Sequence, residues 1–264
     1  MIRLVALDLD GTLISKTLRV SDRVKATIGR ARQAGVAFTM VTGRMFVSAR
    51  PFAQAIGIEG PIVCYQGAAI YEVTTGERLT HRPVPPVVAE RIFVQAATDG
   101  VRALGYEDDR LYTEANDGYT KEYTNLARVE AHVVPSLVES FRGRASTKVN
   151  CVTDLERADA YVERLKALLG DTAYVTRSQP QFVEVLEAQV DKGRALSVIA
   201  EYYGASLEQT MAVGDSWNDV PLLSAAGFGV AMGSAPAELR EKAKAVVGSV
   251  NEDGVAEALE RFVL

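Results

Sequence analysis

Near its N-terminus the chain reads Leu4-Val5-Ala6-Leu7-Asp8-Leu9-Asp10-Gly11-Thr12, an apolar run that ends in two acidic residues and a glycine. The apolar run predicts a buried β-strand over residues 2–8. Gly11 allows the backbone to turn sharply where the strand stops. In open α/β sheets, ligands bind at the carboxyl ends of the strands. The pattern therefore predicts that Asp8 and Asp10 lie at a ligand-binding edge of a sheet.

Polar segments also follow two later apolar runs. Residues 36–41 are followed by Thr42-Gly43-Arg44, and residues 210–213 are followed by Gly214-Asp215-Ser216-Trp217-Asn218-Asp219. A further polar segment, Asp191-Lys192-Gly193, stands at the start of a predicted helix. Because the chemistry of the four segments is complementary, we interpret them as parts of one site.

The first part of the chain alternates strand and helix signals. A helix is predicted over residues 21–35 with Ser21 as its N-cap, another over 46–56, and a third short strand over 62–65. This alternation favours a parallel sheet with right-handed crossovers. The alternation of strand and helix signals returns after residue 187, so both ends of the chain are expected to complete one sheet.

The pattern changes in the middle of the chain. Residues 69–83 predict a β-hairpin around a Gly-containing turn, and three prolines at positions 83–86 mark a boundary. We predict an α/β fold with a Rossmann-like parallel-sheet core over residues 1–81 and 188–264. An inserted α+β domain is predicted over residues 82–187.

Composition and charge narrow the class of protein. Of the 264 residues, 48% are hydrophobic and 24% are charged, as is ordinary for a globular protein. The formal net charge is -5 with the two signs mixed, so no basic surface for nucleic acid is indicated. The sequence shows neither a signal-peptide pattern nor a long apolar run, which favours a cytoplasmic protein with no membrane association. The two cysteines and two histidines indicate neither a disulfide framework nor a thiolate or histidine metal site.

Asp8 and Asp10 are two residues apart, so their side chains point to the same side of an extended chain. Two carboxylates held close beside a cation can divide their roles, one attacking as a nucleophile and the other transferring a proton. The alternative for this segment alone is a surface Asp-x-Asp-Gly turn.

Thr42-Gly43-Arg44 brings a hydroxyl, a flexible backbone and a guanidinium group to a second strand end. A helix that begins there offers free amides and a positive dipole end to an anion such as phosphate. A role for Thr42 as a simple N-cap is an equal alternative for the segment considered alone.

Lys192 lies at the predicted start of a helix, where the dipole disfavours a cation. Asp191 compensates if it is the N-cap, and Lys192 is then a solvated surface residue. In the functional alternative, Lys192 reaches a phosphate and the Asp8 carboxylate and offsets the repulsion between two anions.

The acidic segment at 214–219 supplies hard oxygen donors, which suit Mg²⁺. Mg²⁺ prefers octahedral coordination by carboxylates, water and substrate phosphate. Asn218 or Asp219 is also a possible cap of the following helix, which is compatible with a supporting role in the site. Trp217 is interpreted as a packing residue.

With these four segments in this order, and with the insertion between the second and third, the chain resembles the haloacid dehalogenase-like superfamily. It is most similar in pattern to the Cof-type phosphatases with a type IIB cap. The resemblance covers essentially the whole chain and is specific for the superfamily, but not for the substrate.

The resemblance implies a role for each candidate residue. Asp8 is the expected nucleophile that forms an aspartyl-phosphate, and Asp10 the expected acid and base. The implied phosphoryl-oxygen ligands are Thr42 and Lys192, with Gly43, Arg44 and Asn218 at the edge of the phosphate. The implied Mg²⁺ ligands are Asp8, Asp215 and the backbone carbonyl of Asp10, while Asp219 supports the waters of the ion.

The chain departs from the family pattern after its third strand. It has Gln66-Gly67-Ala68 where the family commonly has Asn-Gly-Ala. The longer amide of Gln66 is expected to reach further into the cleft, so a leaving-group contact made by the family's asparagine does not carry over to this chain. The phosphoryl site itself is expected to be unaffected.

The resemblance implies a Mg²⁺-dependent hydrolase of small phosphate monoesters, such as sugar phosphates or related metabolites, that acts as a monomer or small homo-oligomer. Two alternatives remain open from sequence. The same aspartyl-phosphate serves a phosphotransferase or phosphomutase, and a third possibility is a metabolite-binding module without catalysis. In the insertion, the candidates for setting specificity are Glu114, Asn116, Lys148 and Arg177, each with a solvated surface role as its alternative.

Overall fold

The computed structural model describes the backbone of residues 1–264 and all side chains except those of residues 119, 122 and 126. The chain forms two compact units. The core unit comprises Met1–Gly43, Ala49–Leu79 and Asp191–Leu264. The inserted unit comprises Thr80–Val190 together with the short segment Arg44–Ser48.

The first part of the chain supplies strands and helices mainly to the core unit. Ser21 is the N-cap of its first helix, as the sequence predicted, because the Ser21 side chain accepts a hydrogen bond from the Val24 amide. The elements are β1 (Leu4–Leu7), α1 (Asp22–Gln33), β2 (Ala37–Met40), α2 (Phe46–Ala55), β3 (Pro61–Cys64), β4 (Ala69–Glu72) and β5 (Arg78–His81).

The middle of the chain forms a six-stranded sheet with helices. Its elements are α3 (Pro86–Thr98), β6 (Arg102–Glu107), β7 (Arg110–Thr113), α4 (Gly118–Ala127), β8 (Ala131–Val133), α5 (Leu137–Ser140), β9 (Val149–Val152), α6 (Ala158–Leu169), β10 (Ala173–Gln179) and β11 (Phe182–Glu187). The strand order is β10-β11-β9-β6-β7-β8. One apolar cluster, which includes Phe93, Phe141 and Leu165, forms the core of this unit.

The last part of the chain returns to alternating helices and strands. Its elements are α7 (Lys192–Tyr202), β12 (Thr210–Gly214), α8 (Val220–Ala225), β13 (Phe228–Met232), α9 (Ala237–Lys242), β14 (Ala245–Val247) and α10 (Gly254–Phe262). A short 3-10 helix, Trp217–Asp219, precedes α8.

Both ends of the chain build one five-stranded parallel sheet in the order β14-β13-β12-β1-β2. Its centre is β1, which pairs in parallel with β12 on one side and β2 on the other. All four residues of β1 are buried, as expected for a strand covered on both faces. The predicted fold class, α/β with a parallel-sheet core and a further α+β region, is confirmed.

The third strand differs from the prediction. We expected it to continue the parallel sheet, but β3 pairs antiparallel with β4 in a separate three-stranded sheet in the order β3-β4-β5. A single parallel bridge, Val41 to Val63, links it to the end of β2. Beside that bridge, Pro61 has no backbone N–H to donate to a ladder, and its carbonyl accepts a hydrogen bond from the Thr39 hydroxyl at 2.9 Å. None of the described helices is long and apolar enough to cross a lipid bilayer.

Candidate active site

Three polar segments meet at one edge of the parallel sheet because β1, β2 and β12 run in the same direction. Asp8 directly follows β1, and its amide donates to the carbonyl of Val213 at 2.9 Å. The segments that begin at Thr42 and Asp215 follow the neighbouring strands. The sheet therefore places the carboxylates of Asp8 and Asp215 side by side.

Lys192 is the first residue of α7, and its ammonium group is enclosed by carboxylates. Its Nζ atom lies 2.6 Å from Asp8 Oδ1 and 2.6 Å from Asp219 Oδ1. The N-cap of the helix is Asp191, whose side chain accepts from the Arg194 amide at 2.8 Å. Lys192 is only 1% exposed, so the alternative of a solvated surface lysine is wrong.

Asp219 organises the loop that carries Asp215. Its second oxygen, Oδ2, accepts hydrogen bonds from the backbone amides of Asp215 at 3.0 Å and Ser216 at 3.1 Å. The Thr12 hydroxyl donates to Asp215 Oδ1 at 3.4 Å. Both oxygens of Asp219 therefore have donors, which makes Asp219 a support of the site and leaves Asp8 and Asp215 as the more open carboxylates.

Close packing at Gly11 fixes the position of the Asp215 carboxylate. Gly11 has a φ of +85°, a conformation that favours glycine. A Cβ atom at this position would lie 2.0 Å from Asp215 Oδ2. The turn after β1 thus needs glycine both for its backbone conformation and for the approach of Asp215.

Burial and mutual repulsion perturb the acids of the site. Burial, followed by the charge of Asp219, raises the pKa of Asp8 to about 7, although Lys192 opposes the shift. Burial, with the charges of Asp8 and Asp219, raises the pKa of Asp215 to about 9. Burial alone would lower the pKa of Lys192, but Asp219 and Asp8 raise it above its ordinary value. Asp10 also contributes to the raised pKa values of Asp8 and Asp215, as expected for a nearby carboxylate.

The donor set fits a divalent cation. Asp8, Asp215 and Asp219 each offer a carboxylate oxygen, and these atoms lie within 4.8 Å of one another. The charge of Asp10 adds to the negative charge at Asp8 and Asp215. Hard oxygen donors with this excess of negative charge suit Mg²⁺ or Ca²⁺ rather than a soft metal.

Thr42, Gly43 and Asn218 lie around a side chain that the sequence did not assign to the site. Asn218 Nδ2 donates to Gln66 Oε1 at 2.9 Å. A Cβ atom on Gly43 would lie 2.3 Å from Gln66 Nε2. The backbone amide of Gln66 donates to the Thr42 carbonyl at 3.0 Å. Thr42 is buried, with its amide bonded to the Val63 carbonyl.

Arg44 belongs to the inserted unit rather than to the core unit. It is buried, and its Nη1 atom donates to Ser48 Oγ at 3.0 Å. In the same unit, the backbone amides of Phe46 and Val47 donate to the carboxylate of Asp109. Asp109 therefore satisfies amides at the start of α2.

Two residues near the carboxylates were missed as contributors. Thr12 was quoted as part of the first segment but was given no role, and Gln66 was noted only as a departure from the family pattern. Thr12 could have been predicted, because its hydroxyl lies close in sequence to Asp8 and Asp10. The second contact joins residues 152 positions apart in sequence, for which no local pattern exists.

Comparison with known proteins places the chain in a family. The family profile described as haloacid dehalogenase-like hydrolase matches residues 5–259. The chain belongs to this family. Its predicted resemblance to Cof-type members is confirmed, and so is the predicted enzyme class, a phosphoric monoester hydrolase.

Individual relatives agree with this assignment over their full lengths. Pyridoxal phosphate phosphatase YbhA of Escherichia coli (strain K12) is 30% identical over 266 residues, covering 97% of this chain and 96% of that protein. The crystal structure of TM0651 from Thermotoga maritima is 30% identical with a TM-score of 0.83, covering 100% of this chain and 98% of that one. The sugar phosphatase BT4131 of HAD subclass IIB shares the fold, with a TM-score of 0.87 at 20% identity over 98% of both chains.

Proposed function

We propose that this phosphatase hydrolyses small phosphate monoesters with Mg²⁺ and an aspartyl-phosphate on Asp8. The observation that carries the proposal is the Lys192 ammonium group, buried at 2.6 Å from both Asp8 and Asp219. An ion pair of this kind lowers the pKa of a buried carboxylate and so favours the ionised form that a nucleophile requires. We propose Asp8, Asp215 and the Asp10 carbonyl as the groups that hold Mg²⁺. When bound, the ion neutralises charge on the phosphoryl group.

The chain's own residues divide the chemistry between them. An Asp8 oxygen attacks phosphorus in line with the leaving oxygen, and the bond from phosphorus to that oxygen breaks. The Asp10 carboxyl gives its proton to the leaving alkoxide. Asp10 then takes a proton from water as the water oxygen attacks phosphorus, which releases phosphate and restores Asp8.

The remaining candidates bind the transferred group. Lys192 and Thr42 hold phosphoryl oxygens, and Gly43 and Asn218 lie at their edge. Arg44 is proposed at the outer edge of the phosphate on the basis of the family resemblance. Asp219 holds Lys192 and the loop of Asp215 through the hydrogen bonds described above.

The substrate class is proposed as phosphorylated sugars or related small metabolites, including phosphorylated cofactors. A relative named for pyridoxal phosphate and a fold shared with a sugar phosphatase support this range. We also propose a cytoplasmic location, supported by two buried free cysteines, which are typical of a reducing compartment. The inserted unit, with the predicted boundaries 82 and 187, is proposed as the cap that sets specificity.

The experiment compares wild type, Asp8→Asn and the surface control Asp22→Asn on an aryl phosphate, with and without Mg²⁺. We expect turnover only with Mg²⁺, full activity in the control, and loss of at least about a thousandfold in Asp8→Asn. Acid-quenched wild type should carry a phosphoryl group on the peptide that contains Asp8. Unchanged turnover in Asp8→Asn would refute the mechanism. Faster formation of a phosphorylated acceptor sugar than of free phosphate would identify a phosphotransferase instead.

A further inference from the structure

The turn between β3 and β4 has an unusual backbone. Tyr65, Gln66 and Gly67 have φ values of +52°, +60° and +110°. Non-glycine residues adopt this left-handed region at a cost, and two in succession persist only where the surrounding structure holds them. Backbone outliers of this kind are concentrated at functional sites.

The backbone of this turn packs against two of the four polar segments in the core unit. The Gln66 amide donates to the Thr42 carbonyl at 3.0 Å. On the other side, a Cβ atom on Gly67 would lie 2.5 Å from the carbonyl oxygen of Asp191. The turn is therefore wedged between the segment that begins at Thr42 and the segment that carries Lys192.

The Gln66 side chain extends these contacts to a third segment. It is 1% exposed, and its Oε1 atom accepts from Asn218 Nδ2 at 2.9 Å. Its Nε2 atom lies against the Gly43 backbone, where no Cβ atom would fit. Among the described residues, the buried Asn218 Oδ1 has no hydrogen-bond partner. The bond to Gln66 is thus the contact that sets which way the Asn218 amide faces.

We propose that Gln66 is a positioning residue for phosphoryl binding, acting through Asn218 and the Gly43 backbone. The inference rests on the proposed function, in which Asn218 and Gly43 border the phosphoryl group. One amide hydrogen of Asn218 is donated to Gln66, and the same bond holds the amide group that carries the second hydrogen. Asparagine at position 66 is shorter by one C–C bond, about 1.5 Å, and does not span the gap to Asn218.

The departure from the family pattern at Gln66 predicted a change only in leaving-group contacts, with the phosphoryl site unaffected. In the structure its amide oxygen is already engaged by Asn218. A residue that acts on phosphoryl binding changes kcat/KM by the same factor for every leaving group. A residue that contacts the leaving group changes the ranking of substrates.

The experiment is a double-mutant cycle with Gln66→Ala, Asn218→Ala and the double variant. The readouts are kcat/KM on an aryl phosphate and on a panel of sugar phosphates. We expect Gln66→Ala and Gln66→Asn to lower kcat/KM about tenfold, equally for all substrates, as for one lost hydrogen bond. In the Asn218→Ala background, Gln66→Ala should change kcat/KM by less than about twofold. Equal losses in both backgrounds, or a changed substrate ranking, would overturn the proposal.

A second readout separates this proposal from the proposed function. The affinity of wild type and of each variant for inorganic phosphate is measured by calorimetry with Mg²⁺ present. Wild type without turnover on any substrate contradicts the proposed hydrolysis, while the phosphate-binding cycle still decides the role of Gln66. Coupled losses of phosphate affinity at 66 and 218 support that role, and additive losses refute it.

Two further variants control for folding. Gln54 is exposed on α2, so Gln54→Ala should bind phosphate as wild type does. Gln66→Glu keeps the shape and the acceptor for Asn218 but replaces the Nε2 donor by a charged oxygen. We expect its fold and Tm to be retained and its phosphate affinity to fall more than tenfold through repulsion. Wild-type phosphate affinity in this variant would also overturn the proposal.

Discussion

A single ammonium group links the acids of this site. Lys192 donates to both Asp8 and Asp219 and is almost completely buried. Removing one partner of a buried ion pair costs about 3–5 kcal/mol, because the other charge stays buried and uncompensated. A substitution of Lys192 therefore disturbs stability and chemistry together. A substitution of Gly11, which lies against Asp215, separates the effect on stability from the effect on the site.

We predict that Gly11→Ala abolishes metal binding while Gly35→Ala does not. Both glycines have a positive φ, +85° and +88° respectively, so both substitutions carry a similar backbone cost of about 1–2 kcal/mol. Only at Gly11 does the new Cβ atom collide with Asp215 Oδ2, whereas nothing lies within 4 Å at Gly35. The Mg²⁺ affinity, measured by calorimetric titration, and kcat/KM should each fall at least about a hundredfold in Gly11→Ala but not in Gly35→Ala. Similar losses in both variants would show that strain, not the collision, matters.

The catalytic candidates could be predicted from the sequence, but the residues that hold them in position could not. Asp8 and Asp215 follow apolar runs, and the parallel direction of the strands dictates that they meet. Gln66 reaches Asn218 only because two consecutive non-glycine residues adopt left-handed backbone. No propensity favours that conformation, so tertiary contacts decide it.

At the scale of elements, the N-terminus of α7 controls where Lys192 lies. Asp191 caps α7 in the same way that Ser21 caps α1, each accepting from the amide three residues later. The two caps are therefore chemically matched, but only one adjoins the site.

We predict that Asp191→Ala and Ser21→Ala each reduce the free energy of unfolding by about 1 kcal/mol, since each removes one cap. Only Asp191→Ala should also lower kcat, because fraying of the first turn of α7 displaces Lys192 from Asp8. Urea unfolding and steady-state kinetics measure the two effects. Asp191→Ser, which retains a cap, should restore kcat. An equal loss of kcat in the Ser21 variant would contradict this link.

The sheet of the inserted unit buries charge on the face away from its apolar cluster. Lys148 and Glu184 form an ion pair with both side chains 2% exposed, and Lys148 Nζ lies 5.1 Å from the centre of the Tyr106 ring. The solvated alternative for Lys148 is therefore wrong. Two other specificity candidates have partners in this unit, since Glu114 accepts from the Leu137 amide and Arg177 pairs with Asp159.

We predict that Lys148→Met destabilises the protein by about 3–5 kcal/mol, because Glu184 is left buried without its partner. The double variant Lys148→Met/Glu184→Leu should recover most of this loss, since it removes both charges from the interior. Denaturant unfolding of wild type, Lys148→Met, Glu184→Leu and the double variant gives the coupling energy between the two residues. A double variant as unstable as the single one would show that the pair is itself required for the sheet.

Element boundaries followed from local signals where those signals were strong. The first helix starts after its predicted cap Ser21, and the second spans Phe46–Ala55 where 46–56 was predicted. The prediction was wrong for the pairing of β3, because an apolar run does not specify its neighbour. The helix that follows the acidic segment at 214–219 is preceded by a 3-10 turn, in which the Asp219 side chain accepts from the amides of Asp215 and Ser216.

At the scale of the whole molecule, the crowded carboxylates make stability depend on pH. The raised pKa values, about 7 for Asp8 and about 9 for Asp215, mean that the folded state holds protons that the unfolded chain releases above the ordinary aspartate pKa of 3.8. The folded state therefore binds more protons between these limits. The contribution of these groups to stability is fully present below pH 3.8 and is lost as the pH rises through the folded values.

We predict that the Tm of metal-free protein falls between about pH 6 and pH 9, a range in which ordinary carboxylates are ionised in both states. Saturating Mg²⁺ should remove most of this fall, because binding to the ionised carboxylates stabilises the folded state. In Asp215→Asn the fall of Tm with pH should be smaller, and Mg²⁺ should change the Tm only weakly. The exposed control Asp22→Asn should behave as wild type. Differential scanning calorimetry over this range, with chelator or Mg²⁺, makes the comparison. The same slope in Asp215→Asn as in wild type would show that other groups cause the pH dependence.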